Sequence, residues 1–145
     1  MQTSDESSIT YRGSVYPWQC DHMGHMNVMW YVGKFDEATW QLLASVGLTP
    51  SRLRRESIGM VAAEQHIEYK RELLAGDVVT IRSSVEEVRE KVVFFVHEMT
   101  NEETKELAAR TKLTGVCIDI NTRRAHPLPA DSREHLVARS TRVGK

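Results

Sequence analysis

The segment Cys20-Asp21-His22-Met23-Gly24-His25-Met26-Asn27 gathers a thiol, a carboxylate, two imidazoles and an amide. A carboxylate can activate water as a general base or attack an electrophile itself. A neutral imidazole offers one donor and one acceptor, so it can orient that carboxylate, position water or bond an oxygen. Asp21 is therefore the first catalytic candidate and His25 the second. The competing readings are an aspartate that only caps the following helix and a histidine bonded to its own turn. His22 reads as a rim residue. Cys20, Asp21, His22 and His25 are also metal-ligand types. A structural zinc site needs a second ligand pair at defined spacing, and the sequence offers none, so no metal is expected.

The helix that positions this loop follows at once. Tyr31, Phe35, Ala38, Leu42 and Val46 recur at spacings of four and three, which makes one apolar stripe. Trp30, Val32, Trp40 and Leu43 are expected to widen it. Asn27 suits the N-cap, Gly47 suits the position just past the C-terminus, and Pro50 follows. Such a helix runs about 18–20 residues, or about 30 Å. The polar loop then sits where backbone N–H groups are unpaired and the helix dipole is positive. N–H groups between His25 and Val28 could stabilise a developing oxyanion, and Gly24 would allow close backbone approach.

Length and charge exclude several classes. The chain has 145 residues, a formal net charge of −1 and two cysteines. That suggests one domain with one core, without a strong nucleic-acid or anionic-membrane footprint. No signal segment opens the chain, and no apolar run reaches the roughly 18 residues of a membrane span. A cytoplasmic location is the expectation. There is no phosphate-binding glycine loop, no Gly-x-Ser-x-Gly elbow and no dinucleotide fingerprint, so no cofactor is expected.

The remaining elements read as strands. Residues 1–8 form a polar tail. Ile9 to Tyr16 suggests a first strand, ending near Pro17. After the helix, Thr49 to Ser57 reads as a solvated connection with a helical turn. Strands follow over Ile58–Tyr69, around Val79–Val85, over Val92–Met99 and over Leu107–Ile120. Leu74-Ala75-Gly76-Asp77 supplies turn chemistry between two of them. Asp131–Ala138 suggests a short helix capped by Asp131 or Ser132, within a C-terminal stretch of helix and polar tail over residues 131–145. Short links imply that consecutive strands are antiparallel neighbours. The outcome is α+β: one long helix wrapped by a curved antiparallel sheet of about five strands.

The segment Trp18-Gln19-Cys20-Asp21-His22-Met23-Gly24-His25-Met26-Asn27, with Tyr31 and Phe35-Asp36-Glu37-Ala38, resembles the 4-hydroxybenzoyl-CoA thioesterase-like family of the hotdog fold. The family pattern is Asp-x-x-Gly-His-x-Asn leading into a helix. Ile67-Glu68-Tyr69 with Leu74-Ala75-Gly76-Asp77 resembles the family's strand and its Gly-Asp turn. The resemblance covers residues 9–130. Gln19 departs from it where many members have an acid, and Lys70-Arg71-Glu72 departs where many have proline.

The resemblance implies an acyl-CoA thioesterase with Asp21 as general base or nucleophile and His25 beside it. Gly24, Asn27, Val28, Tyr31, Asp36 and Glu64 are the expected substrate contacts, with Asp36 a candidate for positioning water. Glu64 shares a strand face with His66; it completes the site if that face meets the helix of a second subunit and has no special role if the face meets solvent. Arg89 and Lys91 are the expected contacts to coenzyme A phosphates, with Lys70, Arg71, Arg123 and Arg124 as further options. A homodimer or homotetramer is implied, with no nucleic acid and no membrane partner. Two rival functions share the fold: a non-catalytic acyl-CoA-binding module and a hydratase or dehydratase.

Overall fold

The computed structural model describes residues 8–141. The expected N-terminal tail, apart from Ser8, and the last four residues of the expected C-terminal tail lie outside the described residues. Five strands and three helices follow in chain order. They are β1 (Ile9–Ser14), α1 (Val28–Ser45), α2 (Pro50–Glu56), β2 (Ile58–Tyr69), β3 (Val78–Val88), β4 (Val92–Asn101), β5 (Leu107–Asp119) and α3 (Ala130–Arg139). A single 3-10 turn, Pro17–Gln19, separates β1 from the polar loop. This is the expected α+β composition, and the sheet has the expected five strands.

The sheet order is β1-β3-β4-β5-β2, with β1 antiparallel to β3. The expectation that every consecutive pair of strands would be neighbours fails at one link. β3 already has β1 on one edge and β4 on the other, so β2 takes the free edge of β5. The Leu74–Asp77 turn forms as expected: Asp77 N–H donates to Leu74 O at 3.0 Å, and Leu74 N–H donates to Asp77 Oδ2 at 2.8 Å. Gly76 has a φ of 96°, a conformation that costs glycine little.

Two compact units divide the chain. The first takes the chain through Gln41, with Ile67–Ser83 and His97–Thr111. Its core holds Met26, Tyr31, Phe35, Ala38, Leu73, Val79, Ile81 and Met99. The second takes Leu42–His66, Ser84–Val96 and the chain from Lys112. Its core holds Leu42, Val46, Leu48, Val93, Phe95, Leu113, Cys117 and Leu136. Cys117 is buried there as an inert apolar side chain, its thiol pushed up to about 11 by burial.

The stripe read on α1 is the buried one: Tyr31, Phe35, Ala38, Leu42 and Val46 are all buried. Leu43 joins it, but Val32 and Trp40 do not and remain exposed. Each residue advances about 100° around a helix, which carries both of them off the buried face. A residue of the opposite type turns inward instead. Lys34 is buried, its ammonium donating to Tyr11 Oη at 3.0 Å and to Ser14 O at 3.2 Å. Past α1, Gly47 adopts a φ of 93° and donates its N–H to Ala44 O, as its place beyond the helix end required.

Two termini differ from the sequence reading. The expected helical turn after Thr49 is a helix, α2, with Thr49 Oγ1 accepting from Arg52 N–H. α3 starts one residue earlier than expected, at Ala130, after Pro129 and without a side-chain cap. Asp131 and Ser132 therefore lie inside the first turn rather than at the cap, and the Asp131 carboxylate is held by Arg52.

Candidate active site

The loop before α1 closes on itself. Asp21 N–H donates to His25 O at 3.0 Å, and Gly24 N–H returns to Asp21 O at 3.0 Å. Cys20 and Met26 pair as an isolated antiparallel bridge. The turn needs a φ of 89° at Gly24, which explains a glycine there. Two further bonds anchor the loop: Met26 N–H donates to Leu73 O at 2.7 Å, and Asn27 N–H donates to Gln19 O at 2.9 Å. Gln19, the residue that departs from the resembled pattern, is buried and accepts Tyr16 N–H on its Oε1 at 3.0 Å.

These anchors correct one expectation. Of the four N–H groups from His25 to Val28, those of Met26 and Asn27 are taken by Leu73 O and Gln19 O and do not face a substrate oxygen.

Both oxygens of Asp21 have donors. Met23 N–H bonds Oδ1 at 2.9 Å, and the Asn27 side-chain amide bonds Oδ2 at 2.9 Å. The Asn27 amide, then Met23 N–H, then the nearby His25 and His22 hold the Asp21 carboxyl below the usual carboxylate range. At neutral pH it is an anion. Asn27 also starts the helix as expected, its Oδ1 accepting Met29 N–H at 3.0 Å. His25 places Nδ1 3.3 Å from Met26 O and Nε2 3.6 Å from Glu72 Oε2.

A cavity of about 200 Å³ adjoins His25, with Val28, Tyr31, Tyr69 and Glu72 in its wall. Tyr31 and Tyr69 meet edge to face with ring centroids 5.1 Å apart. The Tyr31 hydroxyl donates to Arg71 O at 3.2 Å, and burial pushes its phenol up to about 12. Tyr31 therefore offers a substrate its ring rather than a free hydroxyl. A second depression, about 380 Å³, is lined by Thr10, Arg12, Glu37 and Gln41 and shares no residue with the polar loop.

The first unit thus brings together Asp21, Gly24, His25, Asn27, Val28 and Tyr31. Asp36 lies two helical turns along α1 from Val28 and is exposed. Glu64, Arg89 and Lys91 belong to the second unit. Glu64 is exposed in the middle of β2. Arg89 pairs with Glu87 at 2.9 Å and lies over the Phe94 ring at 4.8 Å. Sequence reasoning missed Glu72 as the group facing His25, although Lys70-Arg71-Glu72 had stood out as a departure. Among the described residues, no three His, Cys, Asp or Glu side chains converge into a metal-ligand set. No helix of the described residues is long and apolar enough to cross a membrane.

The chain matches the model of the thioesterase-like superfamily over residues 15–136 and belongs to that family, a class of thioester hydrolases. Among individual relatives, it is 27% identical over 131 residues to the long-chain acyl-CoA thioesterase FadM of Escherichia coli, covering 90% of this chain and 96% of the relative. It superposes on a Staphylococcus aureus protein solved in complex with CoA with a TM-score of 0.84. That match has 21% identity and covers 94% of this chain and 89% of the other. The 1,4-dihydroxy-2-naphthoyl-CoA thioesterase of Synechocystis gives a TM-score of 0.79 at 20% identity, covering 88% and 94%. The fold is the expected α+β hotdog fold.

Proposed function

We propose that this chain hydrolyses an acyl-CoA thioester to a carboxylate and free CoA, with Asp21 as the reacting carboxylate. One observation carries the reading: an Asp21 carboxylate held by two hydrogen bonds in the loop that leads into α1, the loop whose His25 lines a cavity. Family membership and the FadM relative support the same chemistry. As a general base, Asp21 takes a proton from water, which adds to the thioester carbon; the C–S bond then breaks and the thiolate leaves. As a nucleophile, Asp21 Oδ attacks that carbon, the thiolate leaves, and water cleaves the resulting anhydride. Both routes develop negative charge on the carbonyl oxygen. The N–H groups of His25 and Val28, without a partner among the described residues, are the donors available to it at the positive end of the helix dipole.

Gly24 gives this oxygen room, and the Val28 and Tyr31 side chains face the acyl group. Asp36 would position water. Arg89 and Lys91 would meet the CoA phosphates. The protein acts in the cytoplasm as at least a homodimer, in which Glu64 of a second copy completes the site. The support for assembly is the run Val61–His66, exposed in β2 on an edge of the sheet. An open edge of that length is a template for pairing.

The test is thiol release from a panel of acyl-CoAs by the native chain and Asp21→Asn, with the mass of the active species read by light scattering. We expect turnover by a species of at least twice the 16.6 kDa chain mass. The variant should lose about 10²-fold or more in kcat with little change in KM. Wild-type turnover by Asp21→Asn removes Asp21 from the chemistry, and a fully active monomer removes the shared site.

A further inference from the structure

Asn27 does two things with one planar group. Its Oδ1 accepts Met29 N–H at 3.0 Å, and its Nδ2 donates to Asp21 Oδ2 at 2.9 Å. The neighbours fix which way the amide faces. Turned over, it would set an oxygen against a carboxylate oxygen and an N–H against an N–H. Its backbone is fixed as well, with its N–H on Gln19 O at 2.9 Å. The donor that Asp21 sees is therefore carried by a side chain whose other end is locked into the first turn of α1. Serine, threonine and aspartate cap helices about as well, but the hydroxyl of serine or threonine ends one atom beyond Cβ, too short to hold the first turn and the Asp21 carboxylate together, and an ionised aspartate has no donor to offer.

We infer that Asn27 is a positioning residue, coupling the start of α1 to the orientation of the Asp21 carboxylate. This rests on the reading of Asp21 as the reacting group. With Met23 N–H on Oδ1 and the Asn27 amide on Oδ2, the plane of the carboxylate is set at two points. Small misplacements of a reacting group cost large factors in rate. Each polar atom of the Asn27 side chain thus makes one bond within the protein, and those two bonds fix its amide.

The same bond has an electrostatic consequence, since a donor to the ionised form favours that form. The charged and titratable groups around Asp21 are His22 and His25 on its own loop, with Glu72 facing His25 from the segment after β2. None of them changes in an Asn27 variant. Removing the amide should therefore raise the Asp21 pKa, and activity that depends on the anion would be lost at higher pH than in the native protein.

The experiment compares Asn27→Ser and Asn27→Asp with the native chain. Serine keeps a cap but cannot reach Asp21; aspartate keeps a cap and replaces the donor with a second carboxylate. For Asn27→Ser we expect an unchanged Tm, a fall in kcat of about tenfold or more with KM nearly constant, and an acid limb of the kcat profile moved up by about one pH unit. In Asn27→Asp that limb should move further, because like charges disfavour joint ionisation. A native acid limb and kcat in a folded Asn27→Ser would overturn the inference. Should the serine variant lose stability, a native limb in a folded Asn27→Asp would overturn it equally. Asp21→Asn, assayed in parallel, separates the two levels. If it is inactive while both Asn27 variants behave as native, only the role of Asn27 fails; if it is active, the reading of Asp21 fails.

Discussion

The two units of this chain differ in what they bury and what they leave out. Among the described residues, six of the seven buried polar side chains belong to the first unit: Gln19, Lys34, Thr80, Ser83, His97 and Thr111. Only Ser132 belongs to the second. Ten of the thirteen large apolar side chains left exposed are also in the first, Trp18, Met23, Val28 and Met29 among them. A unit that buries polar groups and exposes apolar ones is less stable than its composition allows. The second unit buries aliphatic and aromatic side chains and leaves few outside. The first is also the unit that carries the loop of Asp21 and His25. The second is the part that supplies folding free energy.

The largest test of that division lies in the second unit. Leu136 is fully buried and fixes α3 in its core. Leu136→Ala should destabilise by about 2–5 kcal/mol, through lost burial and a residual cavity. Urea unfolding measures this, and kcat per folded molecule should stay near native. A large fall in kcat without a loss of stability would break the contrast between the units.

The next effect concerns the polar interior of the first unit. His97 is fully buried between two hydroxyls, with Nδ1 2.6 Å from Ser83 Oγ and Nε2 2.8 Å from Thr39 Oγ1. Its ring stacks on Phe35 at 5.9 Å. Burial pushes the imidazole down from 6.5 to about 3. Between those values the unfolded chain binds a proton at His97 that the folded chain does not. Stability is thus fully present above pH 6.5 and is lost as pH falls towards 3, by up to about 1.4 kcal/mol per unit. His97→Gln keeps hydrogen-bonding groups but cannot titrate. Its deficit against the native chain should shrink on going from pH 7 to pH 4.5, measured by urea unfolding. A pH-independent deficit would show that His97 does not carry this slope.

The sequence made these regions legible to different depths. α1 could be read because its stripe has a period, and β2 because its β-branched and apolar residues lie between clear breaks. The place of β2 beside β5 could not, because it depends on which edges the other strands had already filled. The polar loop was legible as a motif, and Asn27 as a cap. Its bond to Asp21, six residues back, was not, because it exists only once Gly24 turns the loop. His97 sits in a strongly apolar run with no local signal of function. Its partners lie 14 and 58 residues away, and only the fold brings them to it.

The smallest effect is expected at the most conspicuous ion pair. Arg52 in α2 bonds both carboxylate oxygens of Asp131 in α3, at 2.7 and 2.8 Å, and reaches Glu56 at 2.8 Å. Its geometry is bidentate, which is the stronger arrangement for a guanidinium. Yet the Asp131 side chain is 60% exposed against 19% for Arg52, so water competes for the carboxylate and salt screens the pair from that side. The second unit draws its stability from buried side chains such as Leu136, and this pair adds little on the surface. Arg52→Ala should therefore cost no more than about 1 kcal/mol, and part of that should vanish in 1 M salt, where the screening length falls to about 3 Å. A double-mutant cycle with Asp131→Ala isolates the coupling from the lost packing of the arginine stem. A coupling energy comparable to the cost of Leu136→Ala would mean that the second unit is held as much by its charges as by its core, and the contrast between the units would have to be redrawn.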